Sequence, residues 1–273
     1  MKTFRDKIAI VTGSASGIGR AIASELSRDG ARVVVADIDG EAARRVAAEL
    51  GPGASAAEVD VTDAGAVQRV VDDAVAKHGR LDLMLNNAGI AVFGDARDMT
   101  LNDWNRVIDV NLRGVVHGVA AAYPVMVRQR AGHIVNTGSL AGLVPSPAGV
   151  GYAMSKHAVV GLSTSLRAEA ARYGVRVSVV CPGFVDTPIV EAATVLGGGD
   201  RAKLRREFPF RLHPPEVVAR AVRRGVLANR AIIPVTVEAR IAWWFYRLAP
   251  AATTRLLAAS AGRNPLLARR PGA

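Results

Sequence analysis

The sequence predicts an α/β fold: a doubly wound parallel sheet of about seven strands with helices on both faces. Two observations carry this expectation. Short apolar runs and longer stretches of helical spacing alternate through at least six repeats. A crossover helix returns the chain to the same end of the sheet, so strands joined this way are parallel. The short runs are also apolar throughout rather than alternating, as strands covered on both faces must be. At 273 residues, half of them hydrophobic, the chain is long enough for one large core. We expect one domain over residues 1–236 and a helical extension over 237–273.

The elements follow in order. Residues 8–11 form the first strand, and Thr12-Gly13-Ser14-Ala15-Ser16-Gly17-Ile18-Gly19 turns the chain into a helix over 20–28, with Ala21, Ile22, Ala23 and Leu26 apolar. Glycines let backbone approach a pyrophosphate, and the helix N-terminus offers free N–H groups and a positive dipole end. A second strand, 32–37, ends in Asp37, close to the ~20 residues past the last glycine at which a ribose-binding carboxylate is expected. That carboxylate suits ribose hydroxyls and repels a 2′-phosphate. Ser16 is neutral and Ile38 follows Asp37, so the cofactor expectation is NAD rather than NADP.

A helix over 40–50 and a strand over 54–59 lead to Asp60-Val61-Thr62-Asp63. Capping of the helix 64–78 accounts for Thr62 and Asp63, while the apolar stretch leading to Asp60 leaves it open to meet an adenine amino group. Residues 81–85 form the fourth strand, followed by Asn86-Asn87-Ala88-Gly89, whose residue types suit tight turns beside a ligand. Residues 100–128 read as one helix with Asn111 inside it, an unfavourable place for a side chain that competes for backbone groups. The fifth strand, 133–137, delivers Ser139. Tyr152 starts a helix reaching residue 173, a sixth strand spans 175–181, and Pro182-Gly183 breaks it before Val185 and Thr187. In such sheets ligands gather at the strands' carboxyl ends, and all these polar stops lie there.

Several function classes are excluded. The lone Cys181 rules out an internal disulfide framework and, within an apolar run, reads as a buried structural thiol. Five histidines and one cysteine show no metal-ligand spacing. The charged N-terminus does not resemble a signal peptide, and no run approaches the ~20 apolar residues of a spanning helix. We therefore expect a cytoplasmic protein. The net charge of +11 lies mostly after residue 200, and no nucleic-acid recognition motif accompanies it.

Tyr152 and Lys156 stand four residues apart, on one face of a helix. A phenol titrates near pH 10, and an ammonium one turn away favours its ionised form, giving a usable general acid/base. With the glycine turn at 12–19, Asp60, Asn-Asn-Ala-Gly at 86–89, Asn111, Ser139, Tyr152-x-x-x-Lys156, Pro182-Gly183 and Thr187 in this order, the chain resembles the short-chain dehydrogenase/reductase family over its first ~190 residues. The resemblance implies a Rossmann-type fold and hydride transfer between a nicotinamide and an alcohol or ketone. It implies that Tyr152 moves the proton, Lys156 binds the nicotinamide ribose and lowers the Tyr152 pKa, Ser139 bonds the reacting oxygen, and Asn111 holds a relay water. It also implies cofactor contacts from Gly13, Ser16, Gly17, Ile18, Gly19, Asp37, Asp60, Val61, Asn87, Ala88, Gly89, Tyr152, Lys156, Pro182, Gly183, Val185 and Thr187. It implies a homodimer or homotetramer.

Beyond residue 190 the family pattern fades. The last strand, 231–235, lacks the glycine pair that usually follows it, which puts a tetramer interface in doubt and leaves a dimer through the helices holding Asn111 and Tyr152. Residues from about 187 to 213 should form a lid hinged at Gly197-Gly198-Gly199. Ile189, Val190, Val195, Leu196, Phe208 and Phe210, with Leu140, Leu143 and Val144, either line a pocket for an apolar substrate or only pack the lid on the body. The segment 238–248, rich in Trp, Phe and Tyr between arginines, either packs on the body or on a second subunit or rests on the inner face of a membrane. A substrate of steroid, terpenoid or long-chain type fits the first set of readings. A nucleotide-binding regulator without catalysis, or a membrane-surface scaffold, is the alternative, and the intact Asn111, Ser139, Tyr152 and Lys156 argue against the regulator.

Overall fold

The computed structural model describes residues 3–197, 212–261 and 266–267. Of the expected lid, Gly198, Gly199, Phe208 and Phe210 lie outside them. Seven parallel strands form the central sheet in the order β3-β2-β1-β4-β6-β7-β9: β1 (Ile8–Thr12), β2 (Arg32–Asp37), β3 (Ala54–Glu58), β4 (Leu83–Asn86), β6 (Gly132–Thr137), β7 (Val175–Cys181) and β9 (Ile232–Pro234). β5 (Val92–Phe93) and β8 (Thr194–Val195) form a separate parallel pair. The helices are α1 (Gly17–Arg28), α2 (Gly40–Leu50), α3 (Ala64–His78), α4 (Leu101–Ile108), α5 (Gly114–Gln129), α6 (Val150–Ala170), α7 (Pro188–Glu191), α8 (Pro215–Leu227), α9 (Val237–Leu248) and α10 (Pro250–Ala261).

Alternation within each strand divides the core in two. Ala9, Val11, Val33, Val35, Leu83 and Leu85 meet Ile22, Leu26, Val222 and Val226 of α1 and α8. Ile8, Ile10, Val34 and Met84 face the other way, onto Val67, Val71, Val125 and Met126 of α3 and α5. Each strand side chain points opposite to the next, and both faces are covered, which explains the uninterrupted apolar runs. Ile10 pairs with Val34 on one side and Met84 on the other. Successive strands run outward from β1 in one direction and from β4 in the other, so a cleft opens between the carboxyl ends of these two.

Local chemistry sets the joints. Asp39 caps α2 through the Ala42 N–H at 2.9 Å, and Asp63 caps α3 through the Ala66 N–H at 3.0 Å. Thr100 and Asp103 form a reciprocal capping box at α4.

The structure corrects one expectation here and adds a strand pair outside the expected elements. Residues 100–128 are not one α-helix, because a π-helical turn, Asp109–Arg113, separates α4 from α5. Its wider turn accommodates an extra residue, a feature frequent at functional sites; here it carries Asn111. The β5–β8 pair was not anticipated, since two-residue strands carry no periodicity. It ties the start of the lid to the loop after β4 through Thr194 N–H to Ala91 O (3.1 Å) and Leu196 N–H to Phe93 O (2.8 Å).

Candidate active site

The glycine turn is anchored before any ligand is considered. The Ser14 hydroxyl donates to Val11 O at 2.7 Å and accepts the Ala36 N–H at 3.1 Å. Thr12 Oγ1 accepts the N–H groups of Asn87 and Ala88 at 2.9 and 3.1 Å, and the Asn87 amide donates to the carbonyls of Thr12 and Gly13. β1 and β4 are thus stapled together at the mouth of the cleft. Gly13 (φ 62°) and Gly17 (φ 52°) adopt backbone that L side chains rarely reach. At Gly19 a Cβ would strike the Gly13 carbonyl. α1 opens at Ser16 with no side-chain cap, which leaves its first-turn N–H groups, including those of Ile18 and Gly19, for an anion.

Asp37 ends β2 half-buried, its carboxylate accepting the Ala15 N–H at 2.9 Å and the Asp39 N–H at 3.2 Å. Opposite Gly17, Thr187 and Pro188 stand at van der Waals distance. Val185 is buried and bridges to His213. The Pro182 carbonyl accepts the Leu140 N–H at 2.7 Å, and Gly183 closes on Thr236. Asp60 is exposed, and its Oδ1 accepts both the N–H and the hydroxyl of Thr62. Val61 is buried, its carbonyl 2.8 Å from His117 Nδ1.

The four candidate catalytic residues converge on the same cleft from three elements. Ser139 follows β6 and starts a short 3-10 turn by accepting the Ala141 N–H at 3.1 Å. Tyr152 stands in the first turn of α6 beside Ser139, whose hydroxyl favours the ionised phenol. Lys156 lies one turn on, buried, its Nζ donating to Thr137 O at 2.9 Å and standing 5.6 Å from the Tyr152 ring centroid. Asn111 is fully buried. Its Oδ1 accepts the Ile90 N–H at 2.8 Å, and its two amide hydrogens go to Ile90 O and Ser155 Oγ. A Cβ on Gly89 would come within 3.1 Å of Asn111 Oδ1 and 3.5 Å of Lys156 Nζ, so the chain passes tightly between them.

The electrostatics differ from the expectation that Lys156 lowers the Tyr152 pKa. Burial pushes the phenol up, and the Ser139 hydrogen bond pulls it partly back. Burial likewise pushes Lys156 down to about 8. Both shifts have one cause, removal of the charged form from water. The Asn111 finding narrows its expected task as well. Both amide hydrogens are engaged, which leaves this amide no N–H group for a relay water.

Sequence reasoning missed Thr12, Ser155 and Phe93. Ser155 donates to Tyr152 O at 2.7 Å and accepts from Asn111, linking the π turn to α6. Its place between Tyr152 and Lys156 on a helix already hinted at this. Phe93 lies against Tyr152 with ring centroids 6.2 Å apart, a contact made through the unanticipated β5. Cys181 is buried as expected, and burial pushes its thiol up to about 12. His133 is buried and held near 3 by desolvation, its Nε2 2.8 Å from Ser178 Oγ. Among the described residues, no group of His, Cys, Asp and Glu forms a metal site, and no helix is long and apolar enough to cross a membrane.

A parallel sheet with a glycine cradle, a carboxylate at the end of the second strand and a Tyr-Lys-Ser-Asn cluster at one cleft is the arrangement of a dinucleotide-binding oxidoreductase. The family model for short chain dehydrogenases matches residues 7–195. A protein of Mycobacterium tuberculosis named "Putative oxidoreductase SadH" is 36% identical over 270 residues, 96% of this chain and 98% of that protein. Momilactone A synthase of Oryza sativa subsp. japonica is 44% identical over 199 residues, 72% of each chain. A short chain dehydrogenase/reductase from Burkholderia phymatum, solved in complex with NAD, superposes with a TM-score of 0.85 at 31% identity, covering 92% of this chain and 96% of that one. The chain belongs to the short-chain dehydrogenase family and is an oxidoreductase. The family binds a nicotinamide cofactor, and the cradle at Gly13, Gly17 and α1 fits one.

Proposed function

We propose that this protein is an NAD-dependent oxidoreductase acting on an apolar secondary alcohol or ketone, with Tyr152 as its general acid/base. The observation that carries the reading is the meeting of Tyr152, Ser139, Lys156 and Asn111 beside the glycine turn. The nicotinamide, when bound, supplies or takes the hydride. The protein's own groups do the rest. Tyr152 Oη gives a proton to the carbonyl oxygen in reduction or takes it from the alcohol in oxidation. Ser139 Oγ, beside that phenol, donates to the same substrate oxygen and stabilises the charge developing there. Lys156 supports the ribose side and returns the proton to Tyr152, while Asn111 and Ser155 hold α6 in place. Asp37 supports NAD over NADP, because a carboxylate fixed at the end of β2 would accept from ribose hydroxyls and repel a 2′-phosphate.

The pocket reading rests on Phe93 beside Tyr152, Leu143 and Val144 in the cluster under α6, and β8 with Leu196 over the loop after β4. We assign residues 1–236 to the catalytic domain, and assign a homodimer to the faces of α5 and α6, where Val116, Val150 and Met154 are exposed. β9 is three residues long and lies at the sheet edge, which gives a tetramer little to build on.

The direct test is a panel of secondary alcohols with NAD, read by absorbance of the reduced nicotinamide. Apolar members should turn over best, and a preference for sugars would overturn the pocket reading. Tyr152→Phe should lose activity by about a thousandfold or more while still binding NAD. Wild-type rates in that variant would reject Tyr152 as the acid.

A further inference from the structure

The C-terminal helices carry a surface that hydride transfer does not use. One side of α9 is committed to the body: Ala239 is fully buried, Trp243 packs against the cluster of Val115, Leu143, Val159, Val179 and Cys181, and Thr236 caps the helix through the Ala239 N–H. Another side carries Val237, Ile241, Trp244 and Leu248, with Phe245 beside them, all exposed. Steps of four, three and four residues put the first four in a single stripe. Trp244 is 58% exposed and Leu248 78%, and Leu256 on α10 is exposed as well. An apolar stripe of this extent marks a contact surface.

Charge decides the occupant. From residue 239 to 273 the chain holds Arg240, Arg247, Arg255, Arg263, Arg269 and Arg270 and no aspartate or glutamate. Arg240, Arg247 and Arg255 are exposed. The Arg247 guanidinium lies 5.1 Å from the Trp243 ring and 5.8 Å from the Trp244 ring, at the border between apolar and charged surface. A second copy of the chain is a poor match. An isologous contact through this stripe would bring like-charged arginines together with no carboxylate in the segment to answer them. A bilayer surface with anionic headgroups answers both features, because tryptophan and arginine suit the boundary between acyl chains and phosphates.

We propose that α9 and α10 dock this protein on an anionic lipid bilayer. The Val237–Ile241–Trp244–Leu248 stripe enters the headgroup boundary, and Arg240, Arg247 and Arg255 meet lipid phosphates. The helices lie on the membrane rather than across it: α9 is 12 residues long, well short of the ~20 needed to span. The placement also bears on the substrate, a consequence that rests on the apolar-substrate reading above. α9 begins where the chain returns from the lid, with the Glu238 carboxylate 2.8 Å from His213 Nε2 and His213 bridged to Val185. α9 is thereby tied to Val185, so docking would hold this part of the chain close to the bilayer in which an apolar alcohol dissolves.

Co-sedimentation of the full chain with vesicles tests the docking without reference to turnover. The wild type should pellet with phosphatidylcholine vesicles containing phosphatidylglycerol and at least about tenfold less with phosphatidylcholine alone. The double variant Trp244→Glu, Leu248→Glu should abolish pelleting, while its melting curve and its rate on a water-soluble alcohol stay at wild-type values. The pair Arg240→Gln, Arg247→Gln should weaken pelleting, and added salt should weaken the wild type's. Failure of the wild type to pellet, or pelleting unchanged by both double variants, overturns the proposal. So does a gel-filtration shift of the Glu variant to a smaller species without vesicle binding by the wild type, which would assign the stripe to a second copy. A negative result here leaves the redox reading standing, and inactivity on every alcohol leaves the docking result standing.

Discussion

Lys156→Met is the perturbation that separates stability from catalysis in this cleft. The ammonium is buried, and its pKa falls from 10.5 to about 8 because burial penalises the charge. Each unit is worth about 1.4 kcal/mol, so holding the charge costs the fold about 3 kcal/mol at neutral pH. The substitution removes that cost. It also removes the bond to Thr137 O, worth about 1 kcal/mol, leaving a net gain of about 2 kcal/mol. The sign follows from proton binding. Between pH 8 and 10.5 the unfolded chain keeps the lysine proton and the folded chain loses it, so wild-type stability rises with pH through that window. The advantage of the variant is therefore full below pH 8 and shrinks as pH rises toward 10.5, where only the missing bond to Thr137 O remains and the variant is the less stable by about 1 kcal/mol. Urea unfolding at pH 7 and pH 10, without nucleotide, reads both quantities, and Tm at pH 7 should rise by roughly 4–8 °C. Turnover should be lost. A variant less stable than wild type at pH 7, or one whose advantage does not shrink with pH, would refute the reasoning.

Three further outcomes are expected. Asp37→Asn keeps an acceptor for the Ala15 N–H but removes the charge proposed to repel a 2′-phosphate, so NAD-over-NADP preference should fall by about 2 kcal/mol, roughly thirtyfold. Titration of each nucleotide measures it, and an unchanged ratio would refute the cofactor assignment. Gly19→Ala puts a methyl group into the Gly13 carbonyl and within 2.6 Å of Asn87 Nδ2; it should cost about 1–3 kcal/mol and abolish nucleotide binding, and retention of both would mean that the turn is looser than described. If the proposed dimer forms through α5 and α6, Val116→Asp combined with Met154→Asp should leave a monomer in analytical ultracentrifugation, and a dimer that survives would move the interface elsewhere.

Much of this architecture was present in the one-dimensional pattern, for a physical reason. Buried parallel strands must be apolar on both sides, and their ends must be polar or glycine where the chain turns, so Ile8, Ile10, Asp37, Ser139 and Pro182 announced the sheet and its ligand edge. Spacing of four residues placed Tyr152 and Lys156 together, because a helix makes that contact local. Contacts between distant segments left no such trace. Thr12 holding Asn87, Asn111 reaching Ile90 and Ser155 from a π turn, and Phe93 meeting Tyr152 through a two-residue strand depend on how separate elements pack. The same holds for the protonation balance. Proximity of an ammonium to a phenol is legible in the chain, but how deeply both are withdrawn from water is decided only when α6 closes on β6, and that burial moves Tyr152 upward and Lys156 downward.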